Sequence, residues 1–174
     1  MKKTARILVI TGDGKGKTTA AMGMALRASG HGMHAAVIQF VKQAETGEMQ
    51  ALKKIDNIDF IQTGLGFLPE KTSSDFEKHK AAAGKALSLA AEMIGSDKYD
   101  MIILDEVCFA VASGLLDDTE VLDTVSKAHT DQCIVLTGRG ATDPITNIAD
   151  TVSRISCLKH GLDSGISAQK GVEY

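Results

Sequence analysis

Between Gly12 and Thr19 the chain reads GDGKGKTT, which packs three glycines, two lysines and two threonines into eight residues. Residues of these types at this spacing can cradle phosphate. Glycines let successive backbone N–H groups turn inward, and a helix opening at Lys17 would add partial positive charge at its N-terminus. Lys17 would neutralise phosphate oxygens and the Thr18 hydroxyl would ligate Mg²⁺, while Lys15 adds a second cation. Gly12, Asp13, Gly14, Gly16 and Thr19 complete the candidate nucleotide-binding set, with Lys17 and Thr18 as its catalytic members. The usual pattern is Gly, four residues, then Gly-Lys-Ser/Thr, yet Thr11 stands where its first glycine belongs. That shift argues against ordinary γ-phosphoryl chemistry more than against nucleotide binding. The plainer alternative is a glycine-rich turn with no ligand.

A second constellation is MIILDE, residues 101–106, an apolar run closed by two acids. A carboxylate at such a strand end is where a nucleotide-binding loop finds its metal partner, Mg²⁺ or Mn²⁺. Asp105 and Glu106 are both candidates, and one of them is expected to cap the next helix instead. In TGRG, residues 137–140, Arg139 could reach phosphates; an ordinary surface arginine fits the pattern equally well.

These residues need elements to hold them together. Residues 5–12, 34–41, 58–63, 99–106, 133–140 and 150–160 read as strands, rich in β-branched and other apolar residues. Residues 17–29 read as a helix stopping near Gly30 and Gly32, and 76–94 as a second. Shorter helices are expected near GEMQALKKI, VCFAVASGLL and TEVLDTVSKAH, a loop over 64–75, and no convincing helix after residue 160. This alternation predicts an α/β domain with a mainly parallel sheet of about six strands, helices on both faces. In such sheets ligands sit outside the carboxyl ends of the strands. The glycine loop, Gln39 to Lys42, Asp105-Glu106 and Thr137 to Gly140 should therefore face one crevice.

Composition narrows the class. At 174 residues, 44% hydrophobic and 24% charged, the chain is expected to form one domain over 1–174 that buries roughly 70% of its unfolded surface. A net charge of −3 favours no nucleic-acid partner. No run is long enough to span a bilayer, and the segment after Lys2 and Lys3 lacks a signal-peptide cleavage pattern, so a cytoplasmic protein is expected. Cys108, Cys133 and Cys157 are far apart and expected to be buried and reduced.

The ordered motifs resemble a known family. TGDGKGKTTAA is similar to the TGNGKGKTTAA of the P-loop-type ATP:cob(I)alamin (corrinoid) adenosyltransferases, with Asp13 at the Asn position, so the shift at Thr11 is that family's own spacing. GHG (30–32), QFVK (39–42), Gly47-Glu48, Gly66-Phe67, LDE (104–106), TGRG (137–140), ADTVS (149–153) and KHGLDSGISAQKGVEY (159–174) follow in family order.

The resemblance implies a RecA-like, three-layer P-loop fold and transfer of the 5′-deoxyadenosyl group of ATP to a reduced corrinoid, with triphosphate released. It implies ATP lying reversed in the loop, Glu106 as the metal-side carboxylate, and Gln39, Phe40, Lys42 and Phe67 on the corrinoid side. It further implies a homodimer and a reducing flavoprotein that supplies electrons. Departures cluster on the corrinoid side: Pro69 stands where the family has Trp, and ATDP (141–144) replaces its CHRD. With a strand starting so near Met1, the family's N-terminal helical lid is expected to be absent or replaced. Two rival functions are an ordinary P-loop ATPase or phosphotransferase, and a nucleotide- or adenosylcobalamin-binding delivery or sensor protein.

Overall fold

The computed structural model describes residues 5–173. Lys2 and Lys3 at the N-terminus, and Tyr174 of the C-terminal motif, lie outside the described residues. Six strands, β1 (Arg6–Thr11), β2 (Ala35–Gln39), β3 (Ile58–Gln62), β4 (Met101–Asp105), β5 (Cys133–Thr137) and β6 (Thr151–Arg154), form one sheet in the order β3-β2-β4-β5-β1-β6. Every pairing is parallel, as a chain returning through helices between strands requires.

The inner strands are apolar on both faces because both are covered. Along β4, Ile102 and Leu104 join one core while Met101 and Ile103 join the other, and Ile134 and Val135 of β5 divide the same way. Helix α1 (Lys17–Gly30) covers one face with Ala21, Met22, Ala25 and Ala28, a single helical stripe whose three alanines let it lie close to the sheet. The other face is covered by α3 (Ser74–Ile94), through Ala83, Ala86, Leu87, Ala90 and Ile94, with α4 (Val107–Ser113) and α5 (Asp118–Val125) beside it. Truncating the fully buried Ile103 to alanine would remove packing on one face at a cost of about 2–5 kcal/mol.

Short helices α2 (Gly47–Leu52) and α6 (Asp143–Asn147) complete the set. Helix α3 starts at Ser74 and not Phe76, because the Ser73 hydroxyl accepts the Asp75 N–H and caps it. Helix α6, within the stretch containing ATDP, is marked by Pro144 in its first turn.

Strand β6 is much shorter than the span 150–160 that its sequence suggests. Its four residues are all exposed on the sheet edge, so no second layer extends the pairing. The chain then runs back across the carboxyl ends of the strands with only a 3₁₀ turn at Gly161–Ser164. Cys108 is buried as expected, Cys133 is half-buried, and Cys157 is exposed on that returning segment. Burial pushes the Cys108 thiol up to about 12 and that of Cys133 up to about 11, which leaves both unreactive at neutral pH.

Candidate active site

The glycine loop leaves β1 at Thr11, whose position is explained by its surroundings. Thr11 is still a strand residue, paired with Arg154, and its hydroxyl accepts the Ala141 N–H. The turn begins one residue later, at Gly12, where φ is +101° and a Cβ would lie 2.4 Å from the Ile155 carbonyl oxygen. Gly14 is crowded too, and its N–H donates to Ile155 O at 2.9 Å. The glycines at 12 and 14 thus serve the close approach of the returning C-terminal segment. Gly16, at φ +111°, opens α1 with open space around it.

Lys17 is buried, and its ammonium donates to the Gly14 carbonyl at 2.8 Å. Its pKa is lowered chiefly by burial, with Arg139 and Lys42 pushing the same way against Glu106 and Asp13. An ammonium that burial makes reluctant to hold its proton gains most from a negatively charged partner, such as a phosphate oxygen. Lys15 instead bonds the Val172 carbonyl and sits 3.2 Å from the Glu173 carboxylate.

The two acids at the end of β4 have separate roles. Asp105 is completely buried and accepts from Thr18 (2.9 Å), Thr137 (2.7 Å), Gln39 (2.9 Å) and Lys42 (3.3 Å). It is the hub that fixes the loop hydroxyl against the ends of β2 and β5. Glu106 is the one non-glycine residue with positive φ among the described residues, at 65°. That conformation costs of order 1–3 kcal/mol and turns the side chain into the crevice. Burial, then Asp105, raises its pKa, while Lys42, Lys17 and Arg139 oppose the rise. Neither acid caps α4, contrary to the sequence expectation: Glu106 holds the cap position without a side-chain cap bond, and Asp105 is spent on the hub.

Thr18, Asp105 and Glu106 offer only oxygens, a donor set that suits a hard divalent cation sharing its shell with phosphate and water. A cation already bridges two of them: the Lys42 ammonium lies 2.6 Å from the Thr18 hydroxyl and 3.3 Å from Asp105. Among the described residues no group of three or more His, Cys, Asp or Glu gathers into a metal cage.

A cavity of about 750 Å³ opens over this machinery, lined by Asp13 to Thr19, Glu48, Glu106 and Arg139. Four strand ends do meet at one crevice, as the alternating pattern implied. The cavity's far wall was not legible as a site: His160, Val172 and Glu173 come from the returning C-terminal segment. A signal existed in the motif KHGLDSGISAQKGVEY, which the resemblance singled out without a role.

A second cavity, about 680 Å³, lies alongside, with Gly66, Phe67 and Leu68 in its wall. Val41, Lys42 and Phe109 line both cavities. Phe67 is fully exposed (101%). Two residues expected at this side are not on its surface. Phe40 is 2% exposed and packs in the core with Phe76 and Leu104, because the chain alternates once more after β2 and turns this ring inward. Gln39 is wholly buried, bonded to Asp105 and to Gln62 at 3.0 Å, so it can act only by holding the hub.

Residues 3–174 match the family model of the ATP:corrinoid adenosyltransferases BtuR/CobO/CobP. The chain belongs to that adenosyltransferase family. It is 36% identical to a corrinoid adenosyltransferase of Escherichia coli, over 97% of this chain and 85% of that protein. The corrinoid adenosyltransferase of Pseudomonas aeruginosa is 38% identical over 97% and 83%, and that of a Sinorhizobium species 40% over 97% and 79%. In fold the chain is similar to flagellar accessory protein FlaH of Methanocaldococcus jannaschii, with a TM-score of 0.57 at 12% identity, covering 86% of this chain and 70% of that one. The adenosyltransferase reading makes the chain a transferase whose nucleotide loop stands on a P-loop fold. Among the described residues no helix is long and apolar enough to cross a membrane.

Proposed function

We propose that the chain joins the 5′-deoxyadenosyl group of ATP to the cobalt(I) of a reduced corrinoid. The cobalt electron pair attacks C5′, a cobalt–carbon bond forms, the C5′–O bond breaks, and its electron pair leaves with triphosphate. The supporting observation is the wall of Val41, Lys42 and Phe109 that divides a charged cavity, with Lys15, Lys17 and Arg139 in its lining, from a largely apolar one. A nucleotide on one side and a large, flat second substrate on the other would meet across it.

The nucleophile arrives without a proton, so no general base is required. The work left to the protein is orientation and neutralising charge on the leaving triphosphate. Lys17, Arg139 and the N–H groups opening α1 carry that role, and Lys15 joins them by exchanging Glu173 for phosphate. The Asp105 hub keeps Thr18 in place, with Gln39 behind it. Thr18 and Glu106, with Asp105, would hold Mg²⁺ or Mn²⁺, which when bound supplies further positive charge to the triphosphate. Phe67 and Lys42 would contact the corrinoid. Family membership alone supports the remaining parts of this reading: residues 1–174 acting as one domain, a cytoplasmic homodimer, and a separate flavoprotein that brings cobalt to the cobalt(I) state.

The test is an anaerobic assay with Mg²⁺-ATP and chemically reduced cobalamin or cobinamide. The expected result is a light-sensitive alkyl-cobalt spectrum with triphosphate released, both lost in Lys17→Ala. ADP and phosphate with unchanged cobalt would instead establish an ordinary ATPase.

A further inference from the structure

Lys42 stands at an unusual place for a residue expected to face the corrinoid. Its ammonium is 2.6 Å from the Thr18 hydroxyl and 3.3 Å from a carboxylate oxygen of the fully buried Asp105. A loop hydroxyl and a strand-end carboxylate are the oxygens that a divalent cation on bound nucleotide would use. Lysine is a compact cation with three donors on a flexible stem, able to occupy such a position and able to leave it.

We propose that Lys42 is an internal placeholder for the divalent cation, bonded to Thr18 and Asp105 in the nucleotide-free protein and displaced when metal and triphosphate arrive. The proposal rests on the metal–nucleotide reading given above. A buried carboxylate left without a cation is costly, and Lys42 removes that cost while the cavity is empty. The hub is therefore ready-built before any ligand binds. A metal ion taking the Thr18 hydroxyl and this Asp105 oxygen would need the place where the ammonium stands, and the two cations repel at that separation. The displaced ammonium stays on the wall common to both cavities, because Lys42 lines each of them. Its charge therefore turns toward the Phe67 cavity only once the metal is in place. Metal loading of the nucleotide site is thereby coupled to the electrostatics of the second substrate's site.

The experiment uses the full chain free of nucleotide, titrated with Mn²⁺ alone and then with Mn²⁺ plus inorganic tripolyphosphate, with free Mn²⁺ read by electron paramagnetic resonance. Lys42→Met removes a competitor bound through charge-assisted hydrogen bonds, so Mn²⁺ should bind roughly tenfold tighter or more. Lys15→Met removes the same charge from the same cavity but from a lysine paired with Glu173. It should tighten binding by no more than a few-fold. Equal effects of the two variants would mean bulk charge alone and would overturn the placeholder, as would weaker binding in Lys42→Met. Absence of Mn²⁺ uptake in the wild type and every variant, with or without tripolyphosphate, would overturn the metal reading and the placeholder together.

A second measurement needs no variant. Reductive methylation of wild-type protein, followed by mass spectrometry of the Lys42 peptide, should run faster with Mg²⁺ and tripolyphosphate than with either absent. Unchanged or slower labelling would overturn the displacement.

Discussion

The two cavities share a wall but are built on opposite plans. Over the glycine loop, charged and polar side chains are bonded to one another: Thr18, Gln39, Lys42 and Thr137 converge on Asp105, and Lys17 is tied to Gly14. The neighbouring cavity has little such bracing. Phe67 stands wholly in solvent, and the buried Thr46 hydroxyl has no hydrogen-bond partner among the described residues. Charge must be positioned in advance, because dipoles that reorganise during reaction stabilise a transition state poorly. An apolar wall for a large, flat molecule has no such requirement and can be completed by its ligand.

The contrast can be broken first at Lys17. Lys17→Ala should lower kcat/KM by roughly a hundredfold or more while the affinity for corrinoid, read by absorbance titration, stays as it was. Loss of corrinoid affinity in this variant would show that the cavities are coupled through Lys17 as well as through Lys42.

Next in size is the hub. Asp105→Ala leaves the buried Gln39 amide without its acceptor, and should cost about 1–3 kcal/mol in urea unfolding. If stability is unchanged, the bracing of the nucleotide side is illusory.

Glu106 should separate stability from activity. Glu106→Gly relieves the left-handed backbone and should raise stability by about 1 kcal/mol while lowering turnover.

The same residue predicts a pH dependence. Its folded pKa is raised by burial, so the folded state binds a proton more readily than the unfolded one. Stability should therefore fall as pH rises from the ordinary glutamate range through the raised folded value, and then level off. Glu106→Gln should flatten that part of the curve in thermal melts.

The smallest effect belongs to the second cavity. Phe67→Ala should leave stability within about 0.5 kcal/mol and the KM for ATP unchanged, while raising the KM for corrinoid.

What the chain revealed before folding followed the same divide. The loop, the acids after β4 and Arg139 are contiguous motifs whose chemistry is local, and their strand-end placement follows from alternating elements. The hub was hidden because Gln39 and Asp105 are register partners across β2 and β4, and only the assembled sheet makes them neighbours. Phe40 was misplaced for a related reason: β2 is buried on both faces, so periodicity could not say which way the next ring turns. The far wall was hidden by distance, since Lys15 and Val172 are 157 residues apart in sequence.

That far wall has a practical side. Glu173 lines the nucleotide cavity and contacts Lys15, one residue before the last. Bulk added to the side chain at position 173 would therefore stand at the mouth of the phosphate site. A spectroscopic label on Val172 or Glu173 would occupy the space through which triphosphate must enter and leave, whereas one on the solvent face of the long helix α3 would keep that mouth clear.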